Sequence, residues 1–419
     1  MSERVKRRRL NDPADGIDAR TDTYRPASEN EKGSWNGFCE LESEPALFNV
    51  MLREFGVVGV KVQEVVSLDD ELLAFLNKPV YGLIFLFRWR EDDPDKQEAS
   101  CPEGLWFANQ TASNACASVA LLNIVNNIEG VDLGDNLRSF KDFTMPFTPA
   151  LRGDAINNFE FVKRIHNSFA RKMDILNSDL QLRYEATSKR NRSTKRGRDE
   201  HETDAGFHFI AFVPALGKVW KFDGLERQPQ ALGVFEPDSD WLDLVKPNIQ
   251  ARMEEYEEDQ IEFSILSLTR DLLPDLVDKL ALNIKHLQVI EKAISSNEPE
   301  VNGAGLGAIE SFPENTLLAA DPFYGVTTKT LEQATVPIEK EEEYLRCSMD
   351  ELARHRTELG RAQLELRSTI REEQQSQQTD DDYAAGRRYD YGPAIRTWLR
   401  FLARKRAIED LIPKTTDVR

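Results

Sequence analysis

An α+β fold with a helical C-terminal extension is predicted for this chain. Three observations predict it. Val80-Tyr-Gly-Leu-Ile-Phe-Leu-Phe-Arg-Trp89 is a nearly continuous apolar run of strand length, the pattern of a strand covered on both faces. Phe207–Val213 and Lys218–Phe222 flank the turn-forming Pro214-Ala-Leu-Gly217 and read as a hairpin. Helical spacing precedes these strands and returns after Asp271, so helices and strands alternate irregularly within one unit.

Taken in order, residues 1–34 are polar, with Pro13, Pro26 and almost no large apolar side chain, the composition of a disordered leader. Its run Lys6-Arg7-Arg8-Arg9 is either a nuclear-import signal or a solvated basic terminus. From Trp35 the texture is globular. Leu47, Val50, Met51 and Phe55 recur at helical spacing between Ser43, the expected N-cap, and Gly56, the expected stop. A further strand is expected over Ile261, Phe263, Ile265 and Leu268, which closes the α+β unit at 35–271. Beyond it, residues 275–294 are amphipathic, and 296–315 are rich in Asn, Gly, Glu and Pro and read as a linker. Residues 339–372 form a charged helix with Leu345, Leu352, Leu359 and Leu366 seven apart, a stripe that suggests packing on a partner helix. Gln374–Gln378 and Asp380–Asp382 are expected to break the order. The extension is thereby divided into 272–384 and a last module, 385–419, whose Ile395, Trp398, Leu399 and Leu402 share one helical face.

With 419 residues and 40% hydrophobic composition the chain can bury a large core, which excludes a small stapled scaffold. Cys39, Cys101, Cys116 and Cys347 contain no CxxC pair, and there is no apolar leader, so a reducing compartment is expected, without disulfides or a classical zinc site. No apolar run of roughly 18 residues suggests a membrane span. The net charge of −19 argues against bulk attraction to nucleic acid or an anionic membrane and favours basic partners. It is unevenly spread: residues 1–9, 188–200 and 386–419 carry +4, +4 and +5, which leaves −32 for the rest.

Of five histidines, only His208 lies in a buried-looking strand, where a histidine alone reads as a satisfied core residue. It has company. Asp223 closes the partner strand, and Gly224 after it permits a sharp turn, so the hairpin can bring carboxylate and imidazole together. Cys116 opens the apolar stretch Cys116-Ala-Ser-Val-Ala-Leu-Leu122, behind residues of capping type, so its thiol is expected in the first turn of a helix, where the helix end favours a thiolate. An inert buried cysteine is the alternative. Gln110, six residues upstream, offers an amide donor that could join the Cys116 backbone N–H in an oxyanion hole. Together the four describe a papain-like thiol hydrolase.

At these residues the chain resembles the ubiquitin C-terminal hydrolases. Phe107-Ala-Asn-Gln110 followed by Asn114-Ala-Cys116-Ala-Ser has that family's Gln-to-Cys spacing, and Phe207-His208-Phe-Ile-Ala-Phe-Val-Pro with Phe222-Asp223-Gly224-Leu225 has its His-to-Asp spacing. Cys39-Glu-Leu-Glu-Ser-Glu-Pro45, Gly82-Leu-Ile-Phe-Leu-Phe-Arg-Trp89 and His166-Asn-Ser-Phe-Ala-Arg171 look like family segments too. Arg387-Arg-Tyr-Asp-Tyr391-Gly-Pro393-Ala-Ile395 is similar to the C-terminal module of the long members, which join proteasomal or polycomb-type chromatin complexes through an adaptor.

The resemblance implies a papain-like fold, a central antiparallel sheet flanked by helices. It implies that Cys116 attacks the carbonyl of ubiquitin's last glycine, His208 shuttles the proton, Asp223 orients His208 and Gln110 holds the oxyanion, with no metal or cofactor. Residues 188–205 fall where the family has a loop crossing the active site. Implied partners are ubiquitin, ubiquitinated proteins and an adaptor bound through 385–419, without membrane or nucleic acid, in nucleus and cytoplasm. The end at Arg419 leans toward the proteasomal type over the chromatin-bound one. A ubiquitin-binding adaptor without turnover, or an unrelated papain-like peptidase, would be the competing functions.

Overall fold

A computed structural model describes residues 26–90, 92–180, 183, 206–236, 239–254, 263–297 and 316–405. Six antiparallel strands form one sheet in the order β1-β6-β2-β3-β4-β5: β1 (Val60–Glu64), β2 (Val80–Arg88), β3 (Phe207–Ala215), β4 (Lys218–Phe222), β5 (Gln230–Val234) and β6 (Ser264–Arg270). The apolar run of β2 takes an inner position between β6 and β3. Its lack of alternation follows from cover on both faces. Ile84 points into a core built with helices α2 (Pro45–Phe55) and α3 (Cys116–Val125), while Leu83, Phe85 and Phe87 pack against Trp241, Leu242, Val245 and Ile249 at the start of a helix on the other face. At Gly82 a Cβ would lie 2.6 Å from Ile124 Cγ2, so only glycine lets α3 settle this close to the sheet.

The hairpin is tighter than its sequence predicts. β3 runs through Pro214 to Ala215, and two left-handed residues, Leu216 (φ 53°) and Gly217 (φ 71°), make the turn. Proline fits inside the strand because the β2 ladder has already ended at Leu83↔Phe212, so no bond is lost there. Ser43 does not cap α2. The helix begins at Pro45, Glu44 stands at the cap position, and the Ser43 hydroxyl bonds Ser264 Oγ at 2.8 Å instead.

Three more expectations need correction. The leader is not disordered throughout. Pro26 onward is described, and α1 (Glu29–Ser34) has a Ser28/Glu31 capping box, with Lys32 Nζ reaching Ser168 O at 2.9 Å. The helix expected over 339–372 is two, Ile338–Arg346 and Met349–Arg388, because Ser348 with Glu351 forms a new capping box. The second of these does not stop in the glutamine and aspartate runs. It continues because Asp380 and Asp381 pair with Arg53, Glu373 pairs with Lys61, and Ala384 enters the main core. A boundary at 384/385 therefore falls inside a helix. Leu345 lies on the other helix and is 64% exposed, whereas Leu352 and Leu359 pack on the helix Leu273–Asn297 of the same chain. The basic run 6–9, the 188–205 loop, most of the 296–315 linker and residues 406–419 lie outside the described residues. Among the described residues no helix is long and apolar enough to cross a membrane.

The helix Met349–Arg388 ends on the α+β unit. Arg387 is 8% exposed and donates to Phe169 O (2.7 Å), Asp174 (3.0 Å) and Glu42 (3.0 Å). Arg387→Ala is expected to cost about 2 kcal/mol, since it strands the buried Phe169 carbonyl and the part-buried Asp174 carboxylate. A lowered urea midpoint with an unchanged slope would be the readout.

Candidate active site

Cys116 is the first residue of α3 and is half-buried. The predicted side-chain cap is absent. Ala115 holds the cap position, and Asn114 before it is left-handed (φ 61°), its amide donating to Ser178 Oγ at 3.3 Å. Asparagine tolerates this conformation, and the resulting turn leaves the first backbone N–H groups of α3 without a side-chain cap. Elsewhere on α3, every residue from Ala117 to Val125 is buried, so the helix is a rigid mount.

His208, on β3, is 4% exposed and Asp223, just past β4, is 3% exposed. His208 Nε2 and Asp223 Oδ1 are 2.7 Å apart. The paired ladder stops at Ala211↔Phe222, and the chain then turns so that Leu225 N donates to Asp223 Oδ1 at 2.9 Å. Trp89 Nε1 donates to the other carboxylate oxygen at 3.3 Å. With Nε2 held by the carboxylate, Nδ1 is the ring nitrogen left for the Cys116 thiol, which lies within hydrogen-bonding reach of His208. Burial disfavours the imidazolium, but Asp223 and the Cys116 sulphur outweigh it, and the His208 pKa is raised to about 9. Asp223 is likewise held below the usual carboxylate range: burial opposes this, and the hydrogen bond and charge of His208 prevail.

Gln110 sits beside this pair. Its backbone N donates to Gly224 O at 2.7 Å, tying it to the residue after Asp223. Gly224 is not left-handed. Its lack of a side chain serves close approach, because a Cβ would lie 3.1 Å from Gln110 Cβ and N. One amide hydrogen of Gln110 goes to Ala112 O at 3.0 Å, which leaves the second for a developing oxyanion. Burial pushes the Cys39 thiol up to about 12 and raises that of Cys101 as well, so neither is a competing nucleophile. Among the described residues no group of three or more His, Cys, Asp or Glu is placed to hold a metal.

Residues 38–254 match the family described as ubiquitin carboxyl-terminal hydrolase, family 1. The chain belongs to this family. The hydrolase is 36% identical over 270 residues to ubiquitin carboxyl-terminal hydrolase ubh-4 of Caenorhabditis elegans, covering 64% of this chain and 74% of that protein. It is 36% identical over 285 residues to isozyme L5 of Dictyostelium discoideum (66% and 76% covered) and 31% identical over 287 residues to BAP1 of Xenopus tropicalis (63% and 39% covered). A crystal structure of Trichinella spiralis UCH37 bound to ubiquitin vinyl methyl ester is similar at 30% identity and a TM-score of 0.45, covering 58% of this chain and 86% of that one.

The hydrolase thus brings Gln110, Cys116, His208 and Asp223 to one place. Sequence reasoning missed the scaffold that holds them. Asn123 Oδ1 accepts from Ala108 N at 2.8 Å and its amide donates to Ala108 O, while Asn127 does the same for Trp106 N and O. Nucleophile helix and oxyanion segment are therefore bonded like adjacent strands. Arg152, buried, supports the same segment through Leu105 O and Phe107 O. Asn123 on the mostly apolar helix and Asn127 just past its end, four residues apart, were the available signal.

Proposed function

We propose that this hydrolase cleaves the bond following the C-terminal glycine of ubiquitin through a thioester on Cys116. The observation that carries the reading is the buried His208–Asp223 pair at the head of the helix that begins with Cys116. His208 Nδ1 takes the thiol proton, the thiolate attacks the carbonyl carbon, and the oxyanion is met by the Cys116 backbone N–H and the Gln110 amide. His208 then returns the proton to the leaving amine, and an activated water releases ubiquitin from the thioester. The test is full-length protein mixed with ubiquitin bearing a C-terminal vinyl methyl ester. A one-to-one adduct on Cys116 is expected, and its absence would overturn the reading. Gln110→Ala is expected to lower kcat by about 10²–10³-fold with little change in KM, measured with a fluorogenic ubiquitin amide.

The same proposal extends to the tail. In the helix Gly392–Arg404, Ile395, Trp398, Leu399 and Phe401 are all exposed, and the tail motif there resembles that of adaptor-binding members. We assign this helix to a proteasomal adaptor, with work in ubiquitin-dependent catabolism in nucleus and cytoplasm. A cut at 386 would also remove Arg387, so the deletion that isolates adaptor binding is 392–419. It is expected to abolish adaptor capture while small ubiquitin amides are still cleaved. Adaptor retained by the truncated protein would refute the assignment.

A further inference from the structure

Behind α3 lies a fully buried histidine for which the chemistry above has no use. His166 sits near the end of the helix Glu160–Asn167, with Nε2 2.8 Å from Cys39 O and Nδ1 2.7 Å from Ser118 Oγ. A carbonyl only accepts, so Nε2 carries the proton, Nδ1 accepts, and the Ser118 hydroxyl donates. Burial lowers the His166 pKa to about 4, which keeps the ring neutral, and the Phe38 ring closes over it edge-on at 5.0 Å. Ser118 is also fully buried.

Its place on α3 gives the contact meaning. Two residues past Cys116, Ser118 lies about 200° around the helix, so a bond at its hydroxyl grips the back of the turn whose front presents the thiol. The turn has no side-chain cap, and the Asn114–Ser178 bond at 3.3 Å is longer than the Ser118–His166 contact. The rotation of α3 about its axis sets where the sulphur lies. An atom about 5 Å from that axis moves about 0.9 Å for a 10° turn, and misplacement by about 1 Å is enough to cost 10²-fold in rate.

We propose that His166 and Ser118 are a positioning pair that locks the rotation of the nucleophile helix and thereby holds Cys116 Sγ against His208 Nδ1. The inference rests on Cys116 as the nucleophile. Neither residue of the pair touches substrate. Asn167, next in sequence, binds Cys39 N (3.1 Å) and Gly37 O (2.9 Å), so the histidine's own helix end is fixed to the chain that its Nε2 contacts.

The test compares full-length wild type with Ser118→Ala and Ser118→Thr, well below their unfolding midpoints. Two readouts are taken, steady-state cleavage of a fluorogenic ubiquitin amide and the pH profile of Cys116 alkylation by iodoacetamide. Ser118→Ala is expected to lower kcat by about 10–100-fold with KM within twofold, and to move the alkylation midpoint to higher pH. Ser118→Thr, which keeps the hydroxyl, is expected to recover most of both. Unchanged kcat and alkylation in Ser118→Ala, or losses that merely follow the folded fraction, would overturn the proposal. Should Ser118→Ala not fold, His166→Asn and His166→Leu carry the same test. The asparagine keeps an acceptor for Ser118 and is expected to exceed the leucine variant in kcat, and equal rates would refute the pair. Failure of the nucleophile reading would look different, as wild type forming no adduct with electrophilic ubiquitin.

Discussion

Asp223→Asn is expected to lower kcat by about 10³–10⁴-fold while ubiquitin binding is retained. Every group facing this carboxylate is a donor: His208 Nε2, Leu225 N and Trp89 Nε1. An asparagine amide must therefore turn its NH₂ toward one of them. If that one is His208, the ring is driven to the tautomer with its proton on Nδ1, and it can no longer take the thiol proton. Without the anion, only the Cys116 sulphur is left to oppose burial, and the pKa of the ring falls from about 9. The alkaline limb expected near pH 9 in wild-type kcat/KM should shift to lower pH in the variant. Stability has a matching sign. His208 is raised on folding, so its contribution is complete below about pH 6.5 and is lost as pH rises through about 9. Asp223 is lowered, so its contribution is present above about pH 4 and lost as pH falls through its folded value. The urea-midpoint gap between wild type and variant should thus be widest between about pH 4 and 6.5 and close toward pH 9. A gap that does not change with pH would contradict the pairing.

Cys116→Ala should be more severe, about 10⁵-fold or more in kcat, with ubiquitin affinity kept and the adduct with electrophilic ubiquitin abolished. Neither Cys39 nor Cys101 can substitute. Cys39 is buried with its proton held, and Cys101 is also raised by burial. Removing one sulphur from a half-buried position should leave the unfolding midpoint nearly unchanged, so inactivity cannot be laid to misfolding. Residual turnover comparable to wild type would leave only a binding role for the site.

The parts of the molecule written in short-range pattern were readable. Helical spacing over Leu47–Phe55, the apolar run of β2 and the two strands about Gly217 each identify their element within a dozen residues, and the four reactive side chains stand on or beside such elements. The helix Met349–Arg388 was hard to read to its end because what sustains it lies far away in sequence. Arg53 and Lys61 neutralise its acids, and the stretch offers almost no apolar residues to mark a face. The turn at Leu216-Gly217 was misplaced because proline normally leaves a strand, and only the early end of the neighbouring ladder makes Pro214 harmless. The roles of Asn123, Asn127, Arg152 and His166 were hidden for a related reason. Apart from the four-residue spacing of Asn123 and Asn127, such buried polar residues carry no periodicity, and what each one does follows from a partner distant in sequence.

The grip of Arg387 on Phe169 O, Asp174 and Glu42, with Arg388 beside it on Ser168 Oγ and over the Phe169 ring, reaches past the finished molecule to its synthesis. A nascent chain normally folds its first domain while the next is still being made. Here Ala384 fills the main core and Arg387 satisfies a carbonyl buried in it, so the catalytic unit cannot close its last contacts until residue 388 has left the ribosome. Translation through Arg388 thus precedes a complete hydrolase, and fragments released earlier would lack the final seal on the segment that holds His166.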